Sequence, residues 1–188
     1  MKLIPFSFPF LPIFLTFLFF FFNFFHVSSC NNLIHETCKK FSETDPNLSY
    51  KFCIASLESE PGSHCADLRK LGLISINLTK RNVSSTSHFI EVLLKNKKLD
   101  PYTRARLSDC MELYTGAIDT TKEAKKHYRS KHYKEANVAF SSVMDTSTTC
   151  EDGFKEKRHV VSPLTKRNND TFQLSAIALS IITMFLGN

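Results

Sequence analysis

Six cysteines are the residues of this chain whose chemistry depends most on where the protein folds, and they stand at positions 30, 38, 53, 65, 110 and 150. In a reducing compartment thiols bind metals or act as nucleophiles, whereas in the secretory route they oxidise to disulfides. The seven histidines show no zinc-like spacing with these cysteines, and His64 is adjacent to Cys65 rather than two to four residues away. The sequence also has no HExxH motif, phosphate-binding glycine loop or nucleophile elbow. We therefore expect no metal, no cofactor and no enzyme activity.

The first 29 residues indicate which compartment applies. Lys2 is followed by an uncharged, Phe-rich run that extends to Phe25, and small residues precede Cys30. This pattern is typical of a secretory signal peptide that is cleaved near Ser29 or Cys30. A run of this length could also be an uncleaved anchor, although three prolines make its first half a poor helix. We expect residues 1–29 to be a signal peptide and residues 31–188 to be one secreted, extracellular domain, with no membrane contact after cleavage.

The domain after the signal has an apolar period close to that of an α-helix almost throughout, which predicts helices rather than strands. Two short segments, 33–41 and 50–57, are separated by the turn sequence DPN at 45–47. Four longer segments follow at 64–95, 101–128, 136–154 and 174–185, and the polar stretch 82–87 indicates a kink in the first of them. The last segment is too short to span a membrane, so we interpret it as a core helix rather than a lipid-anchor signal. Short connections between the long segments predict an all-α domain, an up-and-down four-helix bundle with an N-terminal helical hairpin.

The helical pattern suggests which cysteines can meet. Cys110 and Cys150 occupy inward positions on two helices joined by a short link, so they can approach each other across antiparallel neighbours. Cys38 and Cys53 lie in the two arms of the hairpin and are the other natural pair. Six cysteines allow many pairings, so spacing alone does not decide between them. Cys65 is left over, and we interpret it as a buried free thiol, whereas Cys30 could leave with the signal.

Five segments carry a resemblance to a known family: ETCKKFSETDPNLSYKFC at 36–53, ADLRKLGLISINL at 66–78, LSDCMELYTGAI at 107–118, TTCEDGFKEKRHVVSPLTKRN at 148–168 and QLSAIALSII at 173–182. With these segments the chain resembles the plant family of invertase and pectin methylesterase inhibitors over essentially all of the region after the signal. The resemblance implies a four-helix bundle with an N-terminal hairpin. It also implies disulfides from Cys38 to Cys53 and from Cys110 to Cys150, and no catalytic activity.

The same resemblance implies a partner, because family members block a cell-wall invertase or pectin methylesterase by docking over its active-site cleft, here expected as a 1:1 complex. Invertase-directed members carry a Pro-Lys-Phe triplet before the last cysteine-bearing helix, where this chain has Tyr133, Lys134 and Glu135. We expect Lys134 and Tyr133 to contact the partner, because a lysine could reach the paired acids of an invertase-type glycosidase. The missing Phe removes an apolar anchor, and the glutamate would add repulsion. Invertase and pectin methylesterase are therefore both candidate targets.

A basic run, KEAKKHYRSKHYK at 122–134, lies before this triplet position and overlaps it, in a chain of formal net charge +6. It is either a solvated helix face or a patch that binds a partner or a polyanion. For a secreted chain we expect pectate rather than nucleic acid as the polyanion, held by residues such as Lys125, Lys126 and Lys131. The alternative to inhibition is thus a non-inhibitory helical bundle that binds pectate in the cell wall.

Four N-x-S/T triplets provide candidate glycan acceptors in the secretory route, at Asn47, Asn77, Asn82 and Asn169. Asn77 lies within a helical pattern and could be too structured for modification. Asn82 lies in the polar middle of the same segment, and we expect it to be the best acceptor.

Overall fold

The structure is a computed structural model that describes residues 32–187, so the predicted signal peptide at 1–29 and Cys30 lie outside the described residues. The described part contains six α-helices and no β-strand: α1 Asn32–Thr44, α2 Tyr50–Glu58, α3 Leu68–Leu94, α4 Pro101–Arg129, α5 Tyr133–Lys155 and α6 Thr165–Thr183. None of these helices is long and apolar enough to cross a membrane. The all-α fold class is confirmed.

The helix starts follow from local sequence. Asp67 and Asp100 cap α3 and α4, and each carboxylate accepts the backbone N–H three residues further on. Pro101 occupies the first position of α4, where its missing N–H costs no helical hydrogen bond. The guanidinium of Arg104 donates to the carbonyls of Leu94 and Asn96, at 2.9 and 2.7 Å, so α4 also satisfies the open end of α3.

The four long helices form a closed ring in which α3 and α5 each pack against both α4 and α6. The connections between successive helices are short, at 95–100, 130–132 and 156–164, so neighbours run antiparallel and the predicted up-and-down bundle is confirmed. Large, fully buried side chains come from all four helices: Leu71, Ile76, Ile90, Leu107, Tyr114, Tyr128, Phe140, Phe154 and Ile177.

Helix α3 continues without interruption through residues 82–87, where the polar stretch indicated a kink. Two polar side chains of this stretch, Asn82 and Ser85, accept hydrogen bonds from the neighbouring helix α6, whereas the buried Thr86 hydroxyl has no hydrogen-bond partner among the described residues. Thr171 donates its hydroxyl to the Asn82 amide oxygen at 2.6 Å, and Arg167 donates to the Ser85 hydroxyl at 3.1 Å. A polar stretch can therefore remain helical when cross-helix partners satisfy some of its side chains.

The N-terminal hairpin of α1 and α2 packs on the outside of the bundle, mainly against α6 and α3. Gln173 of α6 binds the turn between α1 and α2. Its amide oxygen accepts the backbone N–H of Ser49 at 2.8 Å, and its amide nitrogen donates to the carbonyl of Asn47. Gln173 is only 6% exposed, so these hydrogen bonds are largely shielded from water.

Two disulfides lie within the described residues, and both have the expected pairing. Cys38 and Cys53 join α1 to α2 with Cα atoms 5.7 Å apart, and Cys110 and Cys150 join α4 to α5 with Cα atoms 5.1 Å apart. The interpretation of Cys65 as a buried free thiol is wrong. Cys65 is exposed in the loop before α3 and is disulfide-bonded.

A chain of hydrogen bonds joins all four helices of the bundle, with buried Tyr114, Asn168 and Thr171 at its centre and part-exposed Asn82 and Glu151 at its ends. The Tyr114 hydroxyl of α4 donates to the amide oxygen of Asn168 at 2.7 Å and lies 3.1 Å from the hydroxyl of Thr171, both on α6. Thr171 in turn donates to Asn82 of α3, and the Asn168 amide nitrogen donates to the Glu151 carboxylate of α5 at 2.7 Å. Burial raises the pKa of Tyr114 to about 12, so the hydroxyl stays neutral and keeps its proton for donation.

We expect Tyr114→Phe to destabilise the bundle by about 1–3 kcal/mol, because it leaves a buried amide oxygen on Asn168 without its donor. Tyr102→Phe is the matched control. Its hydroxyl donates to the carbonyl of Gly153 at 2.8 Å in a part-buried position, so its loss should cost about 0.5–1.5 kcal/mol. Urea unfolding measures both values, and an equal loss in the two variants would contradict the role given to Tyr114.

The same variant has a pH signature. The pKa of Tyr114 is raised in the folded state, so the unfolded chain loses this proton first as pH rises. The free energy of unfolding should therefore fall between about pH 10 and about pH 12 and be unaffected by this group at lower pH. Tyr114→Phe removes this contribution, which unfolding titrations of both proteins would reveal as a shallower decline.

Candidate partner-binding surface

The residues expected to contact a partner lie at the start of α5. Only three residues connect α4 to α5, and Lys131 adopts a left-handed backbone conformation with φ of 62° to reverse the chain. This tight reversal places Tyr133 and Lys134 beside the last turns of α4.

Tyr133 is engaged within the protein itself. Its ring stacks on Phe185, with centroids 4.8 Å apart, and meets the edge of the Tyr128 ring at 5.3 Å. Tyr128 is fully buried and donates its hydroxyl to the carbonyl of Arg69 at 3.2 Å. Tyr128 packs directly against Gly72 of α3. A Cβ atom added at Gly72 would lie 2.1 Å from the Tyr128 hydroxyl oxygen, so a larger residue there would clash. Tyr133 therefore helps to hold the end of the chain on the bundle, and a direct contact with a partner stays a prediction.

Lys134 and Glu135 are exposed and line a shallow groove of about 510 Å³ between α4 and α5. No carboxylate of the described residues lies within 4.0 Å of the Lys134 ammonium. Across the groove on α4, the His127 ring nitrogen lies 3.5 Å from the Glu123 carboxylate. The remaining lining residues are Thr120, Val138, Ala139 and Ser142.

Val138 is the groove residue that sequence reasoning missed. Its side chain is 67% exposed, although it is apolar. It follows Lys134 by four residues, so both lie on the same face of α5. A signal was present in the sequence, because Val138 falls outside the inward stripe of Ala136, Ala139 and Phe140. An apolar side chain beside an unpaired cation suits a partner surface that offers carboxylates next to apolar atoms.

A second groove, of about 340 Å³, lies between α5 and α6 and is lined by Ser147, Thr148, Glu151, Asp152, Lys155, Thr165, Asn168, Asn169 and Phe172. Its central carboxylate, Glu151, already accepts hydrogen bonds from other residues of the protein. One oxygen accepts the Thr165 hydroxyl at 2.8 Å and the other accepts the Asn168 amide. Among residues 32–187 no group of three potential metal ligands converges in this groove or elsewhere.

The four sequon asparagines occupy different environments. Asn47 is exposed in the turn between α1 and α2, and Asn169 is exposed in the first turns of α6. Asn77 and Asn82 lie inside α3, and both are only partly exposed. The amide oxygen of Asn77 accepts the Lys125 ammonium at 2.6 Å, and that of Asn82 accepts the Thr171 hydroxyl.

A protein-family model described as plant invertase/pectin methylesterase inhibitor matches residues 32–181 of the chain. This range includes all of α1 to α5 and nearly all of α6.

Individual relatives carry two kinds of name. The chain is 47% identical over 156 residues to a Platanus acerifolia protein named "Putative invertase inhibitor", covering 83% of this chain and 86% of the relative. It is 33% identical over 162 residues to a protein of Actinidia deliciosa named "Pectinesterase inhibitor", covering 86% of this chain and 84% of the relative.

Solved structures show the same architecture. A pectin methylesterase inhibitor from Arabidopsis thaliana matches 84% of this chain and 96% of its own, with a TM-score of 0.60 and 24% identity. A mutant form of a pectin methylesterase inhibitor from Arabidopsis matches 72% of this chain and 89% of its own, with a TM-score of 0.64 and 25% identity.

We expect Tyr133→Ala to lower the unfolding free energy by about 1–2 kcal/mol, because it removes the stack with Phe185 and the edge contact with Tyr128. Lys134→Ala should change it by less than about 0.5 kcal/mol, since the side chain is exposed and has no carboxylate partner among the described residues. Thermal melts of the two variants provide the measurement. A Tyr133→Ala protein as stable as the Lys134→Ala protein would show that the aromatic cluster does not hold the chain end.

Proposed function

The chain belongs to the plant invertase/pectin methylesterase inhibitor family, and from this membership we propose that it is a secreted inhibitor that binds a cell-wall carbohydrate-acting enzyme, either invertase or pectin methylesterase. The single observation that supports this most strongly is the family match over residues 32–181, which takes in the whole helical bundle. The family consists of inhibitor proteins, which suggests that the chain is not itself an enzyme.

The groove between α4 and α5 is the surface that we assign to the target. Its exposed lysine and valine lie one helical turn apart, and the Cys110–Cys150 disulfide joins the two helices that form its walls. A surface held rigid in this way loses little conformational freedom when it binds, which favours affinity. Lys134 would approach acidic groups at the target's active-site cleft, and Val138 would supply an apolar contact beside it.

The choice between the two enzymes rests on opposing observations. The relative with 47% identity is named as an invertase inhibitor, which favours invertase. Against invertase, only the lysine of the expected Pro-Lys-Phe triplet is present, and Glu135 would bring a negative charge towards paired catalytic acids. The relative named as a pectinesterase inhibitor is 33% identical over a similar length. Either enzyme is therefore a candidate target, and a direct test must compare the two.

Titration of each purified enzyme with the purified protein at the acidic pH of the cell wall should abolish the activity of one of them at about one inhibitor per enzyme. Lys134→Glu should weaken this inhibition by about tenfold or more, because it reverses the charge at a central contact. Lys97→Glu is the matched control, since Lys97 is an exposed lysine in the connection at the opposite end of α4. Failure to inhibit either enzyme from several sources would refute the proposal.

A second candidate function is a wall-resident bundle that does not inhibit. One observation favours it: Tyr133 stacks on Phe185 within the protein. Because of this stack, less of the segment 133–135 is free to contact an enzyme. Retention on pectate together with no effect on either enzyme would support this alternative over inhibition.

We also propose that the secreted protein carries its main N-linked glycan on Asn47, rather than on Asn82 as the polar sequence around Asn82 suggested. Asn47 is exposed in a turn, and a glycan there can project into water. Asn82 lies inside α3, and its side chain accepts a hydrogen bond from buried Thr171. A glycan on Asn82 would crowd the seam between α3 and α6.

Asn47→Gln should remove one glycan from protein that is secreted by a plant or yeast host, whereas Asn82→Gln should leave the glycan mass unchanged. Mass spectrometry of the intact variants and of their glycopeptides provides the measurement. Higher occupancy at Asn82 than at Asn47 would contradict this assignment.

A further inference from the structure

A separate set of basic side chains gathers along the seam between α3 and α4, away from the groove that contains Lys134. Lys125 and Arg129 are one turn apart on α4, and Lys80 of α3 lies close enough to act electrostatically on Lys125. The Arg69 guanidinium also reaches this region, where it donates to the carbonyl of Arg129 at 3.0 Å. We call Lys80, Lys125 and Arg129 the cationic seam.

The charges of the cationic seam are not neutralised within the described protein. Of the described carboxylates, none lies within 4.0 Å of Lys80, Lys125 or Arg129, although the neighbouring Lys122 pairs with Asp119 at 2.7 Å. The pKa of Lys125 is lowered, mainly by partial burial and to a lesser extent by repulsion from Arg129 and Lys80. Lys125 is thus repelled by a cation on each of the two helices, and the three positive charges create a potential that an anionic ligand would relieve.

The Lys125 ammonium is held in position rather than free to move away from its neighbours. It donates to the Asn77 amide oxygen of α3 at 2.6 Å, and this neutral partner orients the ammonium without cancelling its charge. Surface lysines usually lose side-chain entropy when they bind a ligand, and this hydrogen bond has already removed part of that freedom. The seam therefore combines uncompensated charge with a pre-positioned donor.

We propose that the cationic seam binds de-esterified pectin, a linear polymer of uronic acids, and so retains the protein in the cell wall. Lys125 and Arg129 lie about 6 Å apart along α4, and Lys80 adds a third cation from the neighbouring helix α3, an arrangement that suits a chain of regularly repeated carboxylates more than a single small anion. Removal of methyl esters from pectin, the reaction of a pectinesterase, exposes such carboxylates. The inference adds a retention site to the proposed inhibition and rests on the proposed secretion, but not on the target of the α4–α5 groove.

The probes are immobilised polygalacturonate and, for comparison, highly methyl-esterified pectin, which has the same backbone with few charges. The protein is produced in an oxidising bacterial compartment that adds no N-glycans, because Asn77 begins a sequon and a glycan there would cover the seam. The wild-type protein should be retained on polygalacturonate, should elute with salt, and should pass through the methyl-esterified matrix.

The test variant is Lys80→Gln/Lys125→Gln/Arg129→Gln, which should bind polygalacturonate about tenfold more weakly or not at all. Lys95→Gln/Lys97→Gln/Lys98→Gln is the matched control, with the same change in net charge at the opposite end of the bundle, and it should elute like wild type. The double variant Lys80→Gln/Arg129→Gln leaves the Lys125 contact with Asn77 intact and should show an intermediate loss. Thermal melts check that all three variants fold.

Equal weakening in the test and control variants would overturn the proposal in favour of a net-charge effect. No retention of wild-type protein would also overturn it, and so would displacement by polyglutamate as readily as by polygalacturonate, which would indicate an acidic protein partner. Enzyme inhibition should be unchanged in the test variant. This readout separates failure of the retention site from failure of the proposed inhibitory function.

Discussion

The hydroxyl of Tyr114 imposes the constraint on which the bundle depends, because its hydrogen-bond chain reaches all four long helices. Apolar side chains alone would tolerate small sliding of one helix along another, since one leucine packs much like the next. A buried amide or hydroxyl tolerates no such sliding, because each lost partner leaves an unsatisfied polar group away from water. The contacts of Tyr114 with Asn168, and of Thr171 with Asn82, therefore select one register among the many that the apolar stripes would accept.

The covalent links and surface hydrogen bonds act on a bundle whose register is already selected. The Cys110–Cys150 disulfide joins α4 to α5, and these are the two helices that form the groove proposed to contact the enzyme. Gln173 and the Cys38–Cys53 disulfide hold the N-terminal hairpin together and against α6. The aromatic cluster of Tyr128, Tyr133 and Phe185 holds the C-terminal end of α6. The exterior is thus held on a rigid frame, and rigidity lowers the entropic cost of binding.

Helix α4 contributes to both surfaces to which we assign binding. One face forms the groove with α5, where Lys134 and Val138 of the neighbouring helix are exposed. Another face forms the cationic seam with α3 through Lys125 and Arg129. The two surfaces differ in chemistry: within residues 32–187 the groove offers a lysine without a carboxylate partner beside an apolar side chain, whereas the seam offers several cations without apolar anchors. This difference suits a folded enzyme in the first case and a flexible polyanion in the second.

The sequence by itself determined the helical class, most helix positions and the inward faces, because a helix repeats its environment at a period that the apolar residues record. It placed Cys110 and Cys150 on the inward faces of two neighbouring helices, and Asp100 followed by Pro101 indicated the start of α4. Only the tertiary structure decided which polar groups meet across helices. The polar residues around Asn82 indicated a kink, and the sequence did not show that the Thr171 hydroxyl of α6 donates to Asn82 or that Tyr133 stacks on Phe185. The structure also brings Lys80 close to Lys125 and Arg129. Residues far apart in the chain meet only through the register of the helices, and no local pattern of residues encodes that register.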